Sequence, residues 1–308
     1  MKTVKEAPTM AHYVIKEIME ESSNKIILTH DGKFHNDDCL AVATMMIVHS
    51  YLPRINRCRM KEYPTSEDYI IIDVGGIYDP ENDRFDHHQI GCNETYNENF
   101  DVPLASAGMV WKKYGPCIIS DGDPRKLEYI YDRLFKAVDA QDNGFIINDK
   151  PVFQVDYMNP TWDSTSDGDY EFGEAVEIYQ TLLLAVIDRA EAEFRSASIL
   201  NEAMWSDLSE PDILVLPQYI PWMSQIGNDH TFKLCVFPDK FSKEWRISTI
   251  PVDVDVKFGP NRIDIPTEWV ENPPPLTTFV HKARFLMGVD KNASIEEVIM
   301  IAKAIINQ

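Results

Sequence analysis

The chain has 308 residues, 44% hydrophobic and 26% charged, with a formal net charge of −21. That length suits two domains of ordinary size, and the composition is normal for a soluble globular protein. The acidic balance argues against binding along a nucleic-acid duplex, which needs a basic face, and without a run of about 20 apolar residues no membrane span is expected.

The N-terminal stretch from Met1 to Pro8 lacks the apolar core of a secretory signal. Glu6, Glu17, Glu20 and Glu21 are unlike an arginine-rich transit peptide. Cys39, Cys58, Cys92, Cys117 and Cys235 are odd in number and never spaced Cys-x-x-Cys, which reads as reduced thiols rather than a disulfide framework or zinc ribbon. Both features predict an intracellular protein.

In chain order, residues 12–21 pattern as an entry helix and 25–29 as a strand, Lys25-Ile26-Ile27-Leu28-Thr29. That apolar run ends in His30-Asp31-Gly32-Lys33-Phe34-His35-Asn36-Asp37-Asp38, and a helix follows over about 37–50. A second apolar run at 69–73 ends in Asp73-Val74-Gly75-Gly76, and thirteen residues after Asp73 comes Asp86-His87-His88. Ligands of open α/β sheets bind outside the carboxyl ends of the strands, so polar residues just past two apolar runs mark a candidate site. Mixed imidazole and carboxylate donors suit Mn, Fe, Zn or a Mg-type ion better than a thiolate-seeking metal. Capping of the following helix is a competing role for Asp37 or Asp38. Two adjacent imidazoles gain nothing from capping, so the Asp-His-His triplet favours a metallohydrolase.

Ser106-Ala107-Gly108 starts another helix, which Gly115-Pro116 is expected to end. Leu127 to Ala140 reads as one helix running into a turn that holds Asp139 and Asp142, and Thr161 to Asp169 as a loop. From Asp169 a long helix begins, with Phe172, Val176, Tyr179, Leu183, Val186, Ala190, Phe194, Ala197 and Met204 forming one apolar stripe. Past Pro211 come strand-like runs at Ile213-Leu214-Val215-Leu216, at 233–237 and at 245–250. Ser294-Ile295-Glu296-Glu297 is a capping box that opens a final helix to about Ile306. The expected fold is α/β: a Rossmann-like parallel-sheet metal-binding domain at 1–168, a connecting helix at 169–207 and a smaller mixed α/β substrate domain at 208–308, with the site in the cleft between them.

Several strings together resemble a known family. They are Thr29-His30-Asp31-Gly32 with Phe34-His35 and Asp37, Asp73-Val74-Gly75-Gly76 with Tyr78-Asp79, Asp86-His87-His88-Gln89, Ser106-Ala107-Gly108, Val138-Asp139-Ala140 with Asp142-Asn143-Gly144, and Asn159-Pro160-Thr161-Trp162. Weaker matches are Pro221-Trp222 and Trp245-Arg246-Ile247. From about Lys25 to the C-terminus the chain resembles the melanocyte-proliferating-gene exonuclease family, a branch of the Asp-His-His phosphoesterase superfamily. The resemblance implies two divalent ions, manganese first and magnesium as the alternative. It assigns His30, His35 and Asp73 to one ion, and Asp37, Asp73, His87 and a later aspartate to the second. Asp142 is the expected later aspartate and Asp139 its competitor. Asp86 and His88 would orient ligands and face the scissile phosphate.

The chain departs from the family pattern in its second half. Gln154 stands where the family usually has an arginine, and a glycine pair near the C-terminus is replaced in His281-Lys282-Ala283-Arg284-Phe285-Leu286-Met287-Gly288. Arg284 and His281 are the expected substrate contacts there, with the Arg284 guanidinium clamping a phosphate. The resemblance implies 3′ to 5′ exonuclease action on short RNA or single-stranded nucleic acid, in cytoplasm or nucleus, with the mitochondrion as a further compartment. A small-molecule phosphohydrolase acting on nucleotides or pyrophosphate is the alternative, and a binding protein without catalysis the third.

Overall fold

β1 (Ile26–Thr29) opens the first of two sheets in the computed structural model, which describes residues 25–49, 53–145, 154–228, 230–256 and 259–308. The entry helix expected at 12–21 lies outside the described residues. The chain divides into two compact units, one ending at Glu191 and one beginning at Ala192.

In the first unit β1 is followed by α1 (Asn36–Val48), β2 (Arg54–Arg57), β3 (Tyr69–Ile72), β4 (Tyr78–Asp79) and β5 (Arg84–Phe85). The sheet order is β2-β1-β3-β5-β4. β2, β1, β3 and β5 run parallel, and β4 pairs antiparallel with β5 at the edge. Consecutive Ile70, Ile71 and Ile72 are all buried, as a strand covered on both faces requires. α1 is apolar all round from Cys39 to Ala43 and is buried at each of those positions. It lies against α2 (Ser106–Ile118), whose Met109, Val110 and Trp111 join the same core.

α2 runs through Pro116 to Ile118, past the expected stop. Gly115 explains this, because without a Cβ the residue before a proline stays helical at little steric cost, and the missing atom also leaves room for the Trp111 ring. The single helix expected from Leu127 to Ala140 is instead α3 (Pro124–Ile130), a π turn at Tyr131–Phe135, and α4 (Lys136–Asp142). The wider turn carries Tyr131, whose hydroxyl donates to Asp139 Oδ2 at 3.0 Å.

α5 (Asp169–Met204) is the long helix, and it crosses from the first unit into the second. Its stripe is buried at Phe172, Val176, Tyr179, Leu183 and Ala190, but farther on the buried positions are Ser196, Leu200 and Ala203, whereas Ala197 is exposed. The face turns because Leu200 and Ala203 enter the core of the second unit. That unit holds β6 (Ile213–Val215), α6 (Met223–Ile226), β7 (Leu234–Pro238), β8 (Trp245–Thr249), β9 (Thr277–Val280), β10 (Leu286–Val289) and α7 (Ile295–Ile306). Its sheet order is β6-β7-β8-β10-β9, parallel at β6/β7 and antiparallel elsewhere. The Ser294 hydroxyl and Glu297 carboxylate cap α7 reciprocally, as the sequence predicts. No helix among the described residues is long and apolar enough to cross a membrane.

Asp83, at the N-terminal end of β5, is buried in a left-handed backbone conformation with φ 55°. Lys113, Lys25 at 2.6 Å and the Tyr114 hydroxyl at 2.5 Å all donate to its carboxylate. Burial alone would raise its pKa, but these donors outweigh burial and hold it below the usual carboxylate value. The stabilisation is therefore present above the unfolded value of about 3.9 and is lost as pH falls through the folded one. Asp83→Asn keeps a residue that tolerates this backbone and should cost roughly 1.5–3 kcal/mol at neutral pH. Urea unfolding of both forms should show the gap closing on acidification; a gap independent of pH would mean that shape, not charge, holds this corner.

Candidate metal centre

Three adjacent parallel strands place the site. His30 follows β1, Asp73 follows β3 and Asp86-His87-His88 follows β5, and the registers Leu28 with Ile71 and Ile72 with Phe85 bring the three ends level. The turn after β3 needs left-handed backbone at Asp73 (φ 58°), Gly75 (φ 97°) and Gly76 (φ 67°). Asp73 is one of the few residue types other than glycine that tolerates it.

His30 Nε2 lies 3.1 Å from Asp38 Oδ2 and 3.3 Å from Asp73 Oδ2. His87 Nε2 lies 2.9 Å from Asp142 Oδ2 and 3.7 Å from Asp73 Oδ1. Among the described residues three donor groups form, each with ligand atoms within 4.8 Å of one another: His30, His35 and Asp73; Asp73, His87 and His88; Asp37, His87 and Asp142. Asp73 belongs to two of them, as a bridging carboxylate would.

Burial alone would lower the pKa of His30, but the facing Asp38 and Asp73 push it up to about 10. Burial, together with neighbouring Asp73 and Asp142, raises Asp37 well above the carboxylate range. Asp73 is raised by burial against the opposing pull of His30. His87 is raised by Asp142 in spite of its burial. Carboxylates packed this closely repel one another unless a cation sits among them. His30 Nε2, Asp38 Oδ2 and His87 Nε2 are buried yet lack a well-aligned hydrogen bond, although each imidazole nitrogen faces a carboxylate oxygen. Imidazole and carboxylate donors left unsatisfied in this way fit divalent cations.

The supporting contacts separate the remaining candidates. Asp37 accepts from the backbone N–H of Ala107 at 2.7 Å and of Ser106 at 3.1 Å, at the N-terminus of α2. Asp38, for which capping is the competing role, does cap α1 by accepting from His35 N at 2.8 Å while its second oxygen faces His30. Asp139 is fully buried, and its carboxylate accepts from Gly108 N at 3.0 Å, Ala105 N at 3.2 Å and the Tyr131 hydroxyl. A Cβ on Gly108 would meet Asp139 Oδ2 at 2.1 Å, so glycine is what lets this carboxylate in. Burial pushes Asp139 up to about 8 against those donors. The geometry thus sets Asp142, not Asp139, against His87.

Asp86 Oδ1 meets His88 Nδ1 at 2.8 Å, and its Oδ2 accepts from Gly76 N at 2.5 Å. The His88 side chain is 62% exposed, whereas that of His87 is 7% exposed. Asn159, from the Asn-Pro-Thr-Trp string, fixes the loop before His35 by bonding both the N–H and the carbonyl of Phe34 at 2.9 Å. Arg57 holds the same loop, donating to Gly32 O at 2.5 Å and Asp169 at 2.9 Å, with its guanidinium 4.7 Å from the Phe172 ring centroid. No sequence pattern identified Arg57 as a site residue, since it acts through Asp169, which is distant in the chain.

In the second unit Arg284 sits in the β9–β10 turn with φ 59°. It donates to Asp264 Oδ2 at 2.8 Å, Thr267 Oγ1 at 3.1 Å and Ile265 O at 3.4 Å. These contacts hold the guanidinium, on a side chain 34% exposed, against residues 264–267. His281 Nδ1 accepts from Ala283 N at 3.1 Å, and its ring lies 4.4 Å from that of Phe285.

Residues 26–306 match a family model labelled MYG1 exonuclease and described as an uncharacterised protein family. A MYG1 protein of Dictyostelium discoideum is 29% identical over 279 residues, covering 80% of this chain and 84% of that one. The MYG1 exonuclease of Homo sapiens is 25% identical, covering 78% of this chain and 73% of its own. Among solved structures, RecJ of Thermus thermophilus in complex with Mg2+ aligns at 11% identity with a TM-score of 0.28, and the chain spans about half of that protein, 52%.

Proposed function

The chain belongs to the MYG1 exonuclease family, and from that premise and its site we propose a divalent-metal-dependent phosphodiester hydrolase, a 3′ to 5′ exonuclease on short RNA or single-stranded nucleic acid. Family membership makes it a hydrolytic enzyme of the nuclease type. The observation that carries the reading is the convergence of His30, His35, Asp37, Asp73, His87 and Asp142, with Asp73 shared between donor groups.

On this reading His30, His35 and Asp73 hold one divalent ion and Asp37, Asp73, His87 and Asp142 a second, manganese in the first place and magnesium as the alternative. Bound there, such ions activate water and offset the charge that develops at a scissile phosphate. The chain's own residues set the geometry. The N–H groups of Ser106 and Ala107 fix Asp37, and Asp38 turns the His30 ring toward Asp73. Asp86 engages His88 Nδ1, so Nε2 is the nitrogen left to meet a substrate oxygen.

The net charge of −21 favours a short, local contact with the substrate over a long polyanion track. It also supports a second reading, hydrolysis of a small nucleotide or pyrophosphate. Length profiling of end-labelled oligonucleotides in manganese or magnesium, beside phosphate release from nucleotides and pyrophosphate, separates the two. Stepwise shortening from the 3′ end that stops with chelator is expected. Phosphate release with no shortening would replace the nuclease by the small-molecule enzyme.

A further inference from the structure

β2 runs parallel to β1 with Arg57 opposite Thr29, and Cys58 extends the pairing by donating its N–H to Thr29 O at 2.8 Å. Arg59 is thereby carried past the same sheet end as His30. It lines the same cavity of about 470 Å³ as His30, Asp73 and His88. Four parallel strands therefore deliver side chains to one opening, and the outermost of the four delivers a guanidinium.

Arg57 and Arg59 are used differently. The Arg57 side chain is 2% exposed and committed to Asp169 and Gly32, whereas that of Arg59 is 72% exposed and pairs through Nε with Asp31 Oδ1 at 3.0 Å, itself 55% exposed. A solvated pair of that kind holds weakly. The Nη atoms of a guanidinium carry four more N–H donors in a fork that matches two phosphate oxygens. Among the described residues Arg59 is the only lysine or arginine lining this cavity, where the other charged groups are carboxylates and imidazoles. Once cations offset those carboxylates, an arginine at the rim supplies what an incoming phosphate still requires.

The loop that carries Arg59 is anchored beside Asp73. The Tyr63 ring packs on Gly75, where an added Cβ would stand 3.4 Å from Tyr63 Cδ2. The Tyr63 hydroxyl accepts from Met60 N at 3.3 Å and donates to Cys58 O at 3.5 Å. Met60 and Tyr63 both line the cavity, giving it an apolar wall beside the arginine.

We propose that Arg59 is the substrate-positioning cation of this site, binding non-bridging oxygens of a phosphoester's phosphate while Met60 and Tyr63 flank the attached group. The proposal rests on the phosphoesterase reading above and names the residue that holds its substrate. Arg59→Ala should raise KM about tenfold or more on every substrate the wild-type protein hydrolyses, with kcat changed far less and metal content unchanged. Millimolar guanidinium should restore part of the loss, and Arg59→Lys should fall between, since an ammonium keeps the charge without the fork. In parallel, calorimetry with inorganic phosphate on manganese-loaded protein should show a comparable loss of affinity. Unchanged KM and phosphate affinity in Arg59→Ala, with hydrolysis intact, would overturn the clamp and leave the phosphoesterase standing. A variant that loses metal would overturn it too, by making Arg59 a structural residue. A wild-type protein that hydrolyses no phosphoester, yet loses phosphate affinity in Arg59→Ala, would keep the clamp and remove the phosphoesterase.

Discussion

Asp73→Asn should leave the chain folded while removing turnover and most of its divalent-metal affinity. Asp73 is 6% exposed and belongs to two of the three donor groups. Its loss should therefore weaken both ions, where loss of a residue that merely supports a ligand costs about 10–100-fold. Asparagine is the informative substitution because the backbone at Asp73 is left-handed, φ 58°. Alanine there would add about 1–2 kcal/mol of strain to the loss of the carboxylate and mix folding with chemistry. Metal content after dialysis, melting temperature and turnover together decide the matter. A variant that keeps one ion at full occupancy would deny Asp73 the bridging role, and a variant that keeps turnover would remove it from the site.

Local signals in the sequence pointed to the candidate metal centre because several of its candidate donors sit just past strand ends, where an apolar run followed by His or Asp is visible without any tertiary information. His30 after Ile26–Thr29, Asp73 after Tyr69–Ile72 and the capped final helix are features of that kind. β5 was invisible for the opposite reason: Arg84-Phe85 is two residues long and is a strand only because β3 and β4 flank it. β2, Arg54-Ile55-Asn56-Arg57, alternates polar and apolar at an edge and carries no buried run. That is why Arg59, which β2 delivers to the cavity, was not among the expected site residues. Asp139 and Asp142 are three residues apart on one helix, and spacing alone could not rank them. The separation comes from Gly108, whose missing side chain admits one carboxylate to the N-terminus of α2 while the other meets His87. The partners of Arg284 were equally illegible, since Asp264 and Thr267 lie 20 and 17 residues before it and meet it only through the turn.

The two adjacent imidazoles of the triplet should fail in different ways. His87 is enclosed, its Nε2 facing Asp142 at 2.9 Å and Asp73 at 3.7 Å, so His87→Ala should empty one ion position and abolish turnover. His88 is mostly exposed and is held by Asp86 through Nδ1, so His88→Ala should keep both ions and lose roughly 10–100-fold in rate. Although His88 joins Asp73 and His87 in one donor group, its exposure and its Asp86 partner favour the substrate side. Asp86→Asn supplies the control, because Asp86 also accepts from Gly76 N and so couples the His88 ring to the turn that carries Asp73. It should lower the rate as His88→Ala does, without adding to it in the double variant, since both changes remove one oriented imidazole. Metal stoichiometry measured beside single-turnover rates reads the two effects apart. If His88→Ala lost metal as completely as His87→Ala, the exposed imidazole would be a ligand and the division of roles would be reversed. Additive losses in the double variant would show Asp86 acting through the Gly76 turn rather than through His88.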